Sequence, residues 1–312
     1  VRRLGDIAGE SREDPEHDQS STSTLPGWEP ANMMPIVHTY VSKEPLVKPN
    51  AFVIEADSGL IIVDTTLTMS DSRALKQMAD DLRKPIAGVL LTHGHPDHVA
   101  GTTNVAPNGD VRIYALRSVH DVMKASEAAK HQQWSALFKD EWIPRWVYPN
   151  AIVAPGARVA LAGLTFTVVD LGAGGDSDAN SIWLLENARQ AAFVGDFLYS
   201  GNHAYMMDGS VLRWLANLKR FEDLLGSYTT LYVGHGAASD ASLIRAQRQY
   251  IETACRALLD ATAGSAVLTD DSRKHYEQTM LSAFPDYGFT LTVAFSADAL
   301  AKELLGVKNY DW

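Results

Sequence analysis

Cysteine is almost absent from this 312-residue chain: Cys255 is the only one. No disulfide can form within the molecule, so a disulfide-stapled scaffold is excluded. That suits a reducing cytoplasm and leaves a periplasm open. Cys255 lies in an apolar run with helical spacing, Tyr250 to Leu259, and reads as a packed core side chain. Long apolar runs are also missing. None approaches the roughly 20 residues a membrane-spanning helix needs, so no span is expected. Positive charge is scarce: 27 Lys and Arg face 38 Asp and Glu, a net charge of -11. A nucleic-acid partner needs a basic surface and is not expected. There is no Walker-type glycine loop, no Gly-x-Ser-x-Gly elbow and no internal repeat. A P-loop nucleotidase and a Ser-His-Asp hydrolase therefore lack local support. The chain starts at Val1 rather than Met, as a mature or trimmed form would, and no leader peptide is there to be read.

What the chain does have is Thr92-His93-Gly94-His95-Pro96-Asp97-His98. Four of these seven residues are metal-ligating types. They follow the apolar run Ile86 to Leu91, which reads as a buried strand. Gly94 and Pro96 interleave the ligands and turn the segment into a loop. Three imidazoles and a carboxylate delivered by one strand end make little sense as core packing. Imidazole nitrogen and carboxylate oxygen suit zinc, and also iron or manganese.

The segment resembles the His-x-His-x-Asp-His signature of the metallo-β-lactamase superfamily. Three further stretches resemble that family in the expected order. Gly59-Leu-Ile-Ile-Val-Asp64 matches an early strand ending in a supporting aspartate. Ala191-Ala-Phe-Val-Gly-Asp196 matches the strand that carries a metal-bridging carboxylate, and Thr230-Leu-Tyr-Val-Gly-His235 the strand ending in the last histidine. The resemblance covers roughly residues 36 to 240. It implies an α/β fold, an αββα four-layer sandwich with metals at the strand ends. It also implies one domain over residues 28–312, behind a polar, flexible-looking segment 1–27. One departure stands out. Where the family supplies another histidine from a glycine-rich loop, this chain reads Asp170-Leu-Gly-Ala-Gly-Gly-Asp176-Ser-Asp178. Asp176 is the first choice as a stand-in ligand and Asp178 the second.

The resemblance then implies a ligand set. His93, His95 and Asp176 would hold one metal. Asp97, His98 and His235 would hold another, with Asp196 between them and Asp64 orienting a ring from behind. Two zinc ions are the first expectation; one ion, or iron, are the others. Such a centre implies hydrolysis by a metal-bound hydroxide, with Asp97 and Asp196 taking part.

Outside the motifs, Ser70 to Leu82 has helical periodicity, and a helix from the His98 end would aim its N-terminus at the site. A long helical stretch ends in Trp134, Phe138, Trp142, Trp146 and Tyr148. An aromatic lid with Trp142 against substrate and an aromatic face packed on the core both fit this pattern. Beyond Asp196, the loop holding His203, Tyr205, Met206 and Met207 is placed to line a pocket. His203 and Tyr205 are candidates to hold or protonate substrate, and Met206 to give adaptable apolar contact. Val211 to Leu225 reads as an amphipathic helix with Leu212, Leu215, Leu218, Phe221 and Leu225 on its apolar side and Trp214 off it. The aromatic C-terminal region suits either a pocket wall or a homodimer face. The expected substrate is a small, fairly apolar ester, lactone or amide, with hydrolytic dehalogenation of an activated aromatic as another outlet. The alternatives are a mononuclear iron oxygenase of the same fold and a non-catalytic binding member.

Overall fold

The computed structural model describes residues 34–187 and 190–305. The segment 1–27, expected to be flexible, lies outside them. The first half runs β1 (Ile36–Val41), β2 (Asn50–Glu55), β3 (Leu60–Val63), α1 (Met69–Asp81), β4 (Ile86–Leu90), α2 (Pro96–Val99), α3 (Thr102–Val105), β5 (Ile113–Leu116), α4 (Arg117–Phe138) and β6 (Ala151–Val153). The second runs β7 (Arg158–Leu161), β8 (Leu164–Gly172), β9 (Asn180–Leu185), β10 (Ala191–Tyr199), α5 (Val211–Arg220), α6 (Glu222–Gly226), β11 (Thr230–His235), α7 (Ser242–Thr262), α8 (Asp270–Ala283) and α9 (Thr290–Leu304).

Two mixed sheets result. Strands β1 to β6 lie in chain order in one, and the other has the order β11-β10-β9-β8-β7. The hairpin β7–β8 turns on Ala162 and Gly163 alone, both at positive φ, which is the backbone a two-residue hairpin loop demands. Strand β9 is buried along its whole length, so no polar alternation marks it. Its period-two geometry still sorts its side chains. Trp183 and Leu185 enter the core between the sheets with Phe52, Ile61 and Phe193. Ile182 and Leu184 point the other way, into a second core with Trp214, Tyr250 and Leu258 from the helices. The architecture is an αββα sandwich.

Two local expectations change. The helix after the histidine motif starts at Pro96, not at His98, and has four residues, with His95 as its extended N-cap and Pro96 in the favoured first position. The helix over Val211 to Leu225 breaks at Phe221, and its buried face is Val211, Trp214, Leu215 and Leu218. Trp214 is therefore on the buried side, where its Nε1–H donates to the Phe197 carbonyl at 2.9 Å, while Leu212 is half-buried. Cys255 is fully buried in the helical core, where burial pushes its thiol up to about 12.

Candidate metal centre

The site forms where β3, β4, β10 and β11 end. Asp64 follows β3, the histidine loop follows β4, Asp196 sits in β10 and His235 closes β11. Asp176 comes from the loop before β9. Among the described residues, three groups of donor atoms could each hold a metal ion, with all atoms of a group within 4.8 Å of one another: His93, His95 and Asp176; Asp97, His98 and His235; and His93, His98 and Asp196. The third group overlaps the other two and places Asp196 between them. Asp178, the second choice in the glycine-rich loop, is exposed and belongs to none of these groups.

Each ring is turned by a specific partner. His98 Nδ1 lies 2.9 Å from Asp64 Oδ2, so its Nε2 faces Asp196 Oδ1 at 3.3 Å. Asp64 also accepts from the Thr92 N–H at 2.9 Å and the Thr92 hydroxyl at 2.7 Å. That hydroxyl in turn accepts from His93 Nδ1 at 3.0 Å, which turns His93 Nε2 inward. His235 Nδ1 donates to the Val47 carbonyl at 2.7 Å, and its Nε2 lies 3.0 Å from Asp196 Oδ2. His95 is flipped relative to the other three. Its Nδ1 faces Asp176 Oδ2 at 3.0 Å, and its Nε2 faces Asp208 Oδ2 at 3.2 Å.

The backbone beneath is strained. Asp64 has φ of 57° and Thr66 of 70°, a region costly for non-glycine and especially for β-branched residues. Gly234 admits no side chain: a Cβ there would meet Asp196 Oδ1 at 1.8 Å.

Three buried atoms in the centre make no hydrogen bond among the described residues: His93 Nε2, Asp176 Oδ1 and Asp196 Oδ1. Buried polar atoms are rarely left so. Unpaired imidazole nitrogen and carboxylate oxygen, converging from all sides, are the donor set of a divalent cation. The residues present therefore fit a metal.

The electrostatics agree with that fit. Burial holds the His93 imidazole well below its ordinary value, and the neighbouring His98 adds to this. Burial works against charge on His98 and His235, yet the surrounding carboxylates prevail. Asp196, Asp97 and Asp64 raise His98 well above the usual range, and Asp196 and Asp97 push His235 up to about 10. His95 follows the same rule, pushed up to about 9 by Asp176 and Asp208 against its burial. Burial would raise Asp97 and Asp196, but the cationic rings hold both low. Asp176 goes the other way: burial pushes it up to about 7, helped by Asp196 and resisted by His95. A bound cation takes the place of protons in such a cluster.

Two residues that sequence reasoning did not single out complete the site. The Tyr199 hydroxyl donates to Asp196 Oδ2 at 2.7 Å and lies 3.1 Å from Asp176 Oδ2, and its ring stacks on His235 at 5.3 Å. Asp208 joins His95 to Lys130, whose Nζ is 3.1 Å away. Burial would raise Asp208, but His95 and Lys130 hold it below the ordinary carboxylate range.

A cleft of about 440 Å3 opens from these groups. Its walls include Val47, Leu67, Trp134, Phe138, Tyr205 and Phe289. Three other expected pocket residues lie elsewhere. Trp142 is 5% exposed, outside helix α4, and backs Phe138 rather than lining the cleft. Met206 is a core residue 2% exposed. His203 is fully buried against Tyr250, Phe284 and Tyr287, with Nδ1 3.0 Å from the Tyr250 hydroxyl. Closeness in sequence to Asp196 did not carry His203 and Met206 to the cleft, because the chain turns back under the C-terminal helices. Helix α9 instead supplies part of the wall, with Leu291, Thr292 and Phe295.

A model of the metallo-beta-lactamase superfamily matches residues 45–235. The chain belongs to the metallo-beta-lactamase superfamily. A linear primary-alkylsulfatase of Pseudomonas sp. is 40% identical over 75 residues, covering 22% of this chain and 14% of that protein. A beta-lactamase-like protein 2 homolog of Caenorhabditis elegans is 26% identical over 210 residues, covering 65% of this chain and 60% of that protein. The chain thus spans less than two thirds of both relatives. A metallo-beta-lactamase family protein of Thermus thermophilus superposes with a TM-score of 0.63 at 20% identity, over 86% of this chain and 92% of that one. That likeness shows the fold. Hydrolase-type chemistry goes with this superfamily, and no described helix is long and apolar enough to cross a membrane.

Proposed function

We propose that this member of the superfamily is a zinc-dependent hydrolase with two ions, acting on a small, fairly apolar ester, lactone or amide. The observation that carries the reading is the meeting of two three-residue donor groups at Asp196, at the closed end of an apolar cleft. His93, His95 and Asp176 would hold one ion, and Asp97, His98 and His235 the other. Bound there, divalent zinc supplies a nucleophilic water at neutral pH and polarises the electrophile.

The chain's own residues do the positioning. Asp64 and Val47 fix the His98 and His235 rings, so the donors stand in place before a ligand arrives. Tyr199 pins one oxygen of Asp196. Asp97, the least buried of the central carboxylates, lines the cleft and is placed to orient water or hand a proton to a leaving group. Trp134, Phe138 and Phe289 exclude water from the apolar part of the substrate. The alkylsulfatase relative extends the ester class to sulfate esters, and the flat aromatic walls leave room for hydrolytic dehalogenation.

Asp176 favours a second reading. Two histidines and a carboxylate are also the donor set of mononuclear iron oxygenases. Elemental mass spectrometry of protein purified without added metal separates the two. About two zinc ions per chain, with turnover of an ester and lactone panel, supports the hydrolase. One iron with oxygen uptake sinks it.

A further inference from the structure

A second cavity, of about 290 Å3, lies against the first. The two share the side chains of His95, Lys130 and Tyr205. The second is relatively much the more polar of the two. The front cleft is walled by aromatic and aliphatic groups and ends in an apolar lip, where Leu137, Leu291 and Phe295 are 54%, 59% and 44% exposed. The rear cavity is mixed: Ser126, Gln133, Ser177 and Asp208 line it together with Val122 and Met207.

Two features of the rear cavity point to a ligand. Ser177 is 1% exposed, yet its hydroxyl has no hydrogen-bond partner among the described residues. A buried hydroxyl in that state is destabilising unless something binds it. Lys130, at the seam, gives one N–H to Asp208 at 3.1 Å, and an ammonium has three. Its Nζ stands 5.8 Å from the centre of the Tyr205 ring, which holds it at the seam. His95, a proposed metal ligand, borders both spaces.

We propose that the rear cavity is a polar subsite. It takes the hydrogen-bonding arm of an amphipathic ester or amide whose apolar arm fills the front cleft. Ser177 and Lys130 recognise that arm, and the bond to be cut lies at the seam beside His95. The position of that bond rests on the hydrolase reading; the subsite itself does not.

The test is binding, measured by titration calorimetry on the metal-loaded full chain. The probes are phenylacetamide, which has the apolar arm and an amide, and phenylacetylglycinamide, which adds a polar arm. Wild type should bind the second about tenfold more tightly, the worth of one or two hydrogen bonds. Ser126→Trp, which fills the rear cavity from α4, should bring the ratio close to one. Gln133→Trp at the exposed rim should do the same, and covers the case in which the first variant fails to fold. Equal affinities in wild type, no binding of phenylacetylglycinamide, or a preference that a folded variant keeps would overturn the subsite. Hydrolysis of phenylacetyl esters is followed separately. A preserved affinity ratio without turnover sinks the hydrolase alone.

Discussion

The two donor groups of the centre are built differently. Around Asp97, His98 and His235 the support is short and buried: Asp64 lies on His98, the Val47 carbonyl on His235, and Tyr199 and Phe289 pack on the His235 ring. Around His93, His95 and Asp176 it is looser. Asp176 comes from a loop, and His95 leans on Asp208, whose carboxylate is 35% exposed and shared with Lys130. Groups fixed by strand ends hold their geometry without a ligand. Groups fixed by loops and a half-exposed ion pair depend on the ligand to complete them. The group of His93, His95 and Asp176 should therefore bind metal more weakly and exchange it faster.

The largest expected effect breaks the comparison altogether. Asp196→Asn removes the carboxylate that lies between the two groups, and kcat/KM should fall by roughly a thousandfold, the scale of losing a main charge-stabilising group. Circular dichroism should stay near wild type, and full activity would sink the shared centre. Next, Asp176→Ala should release the metal held with His93 and His95, while the group of Asp97, His98 and His235 keeps its own. Elemental analysis checks this, and unchanged metal content would show that Asp176 is no ligand. Asp64→Asn should weaken metal affinity at the His98 group by roughly ten- to a hundredfold, as loss of an outer partner does. A competing chelator reads that shift, and a change confined to the His95 group would reverse the comparison. Smallest is Asp208→Asn. Solvent already screens that carboxylate, so about a two- to fivefold loss at the His95 group is expected in the same titration.

How much of this was legible in the sequence depends on contiguity. The loop His93 to His98 is a local word, with ligands one to three residues apart, and it survives reading without coordinates. Asp64 and His235 close apolar strands and Asp196 closes an apolar run within β10, recognisable positions. Tyr199 was hidden by a backbone irregularity. In a regular strand, residues three apart point to opposite faces. The register of β10 against β11 shifts between Gly195 and Tyr199, and that shift brings Tyr199 beside Asp196. Lys130 and Asp208 were out of reach for another reason: 78 residues separate them, and nothing local pairs them. Trp142 and His203 show the converse. Both are residue types that serve pockets, but a helix that ends at Phe138 and a loop that folds under α8 and α9 took them into the interior.

Each donor group draws on both sheets. The histidine loop belongs to the first, and Asp176, Asp196 and His235 to the second. A cation bound here would thus be a clasp across the sandwich, joining positions 81 (His95 and Asp176) to 138 (Asp97 and His235) residues apart. Clasped and unclasped forms of the fold differ in stability by an amount set by free metal concentration. Melting temperature should then rise with added metal, and a thermal melt of the protein against a zinc titration reads the strength of that clasp.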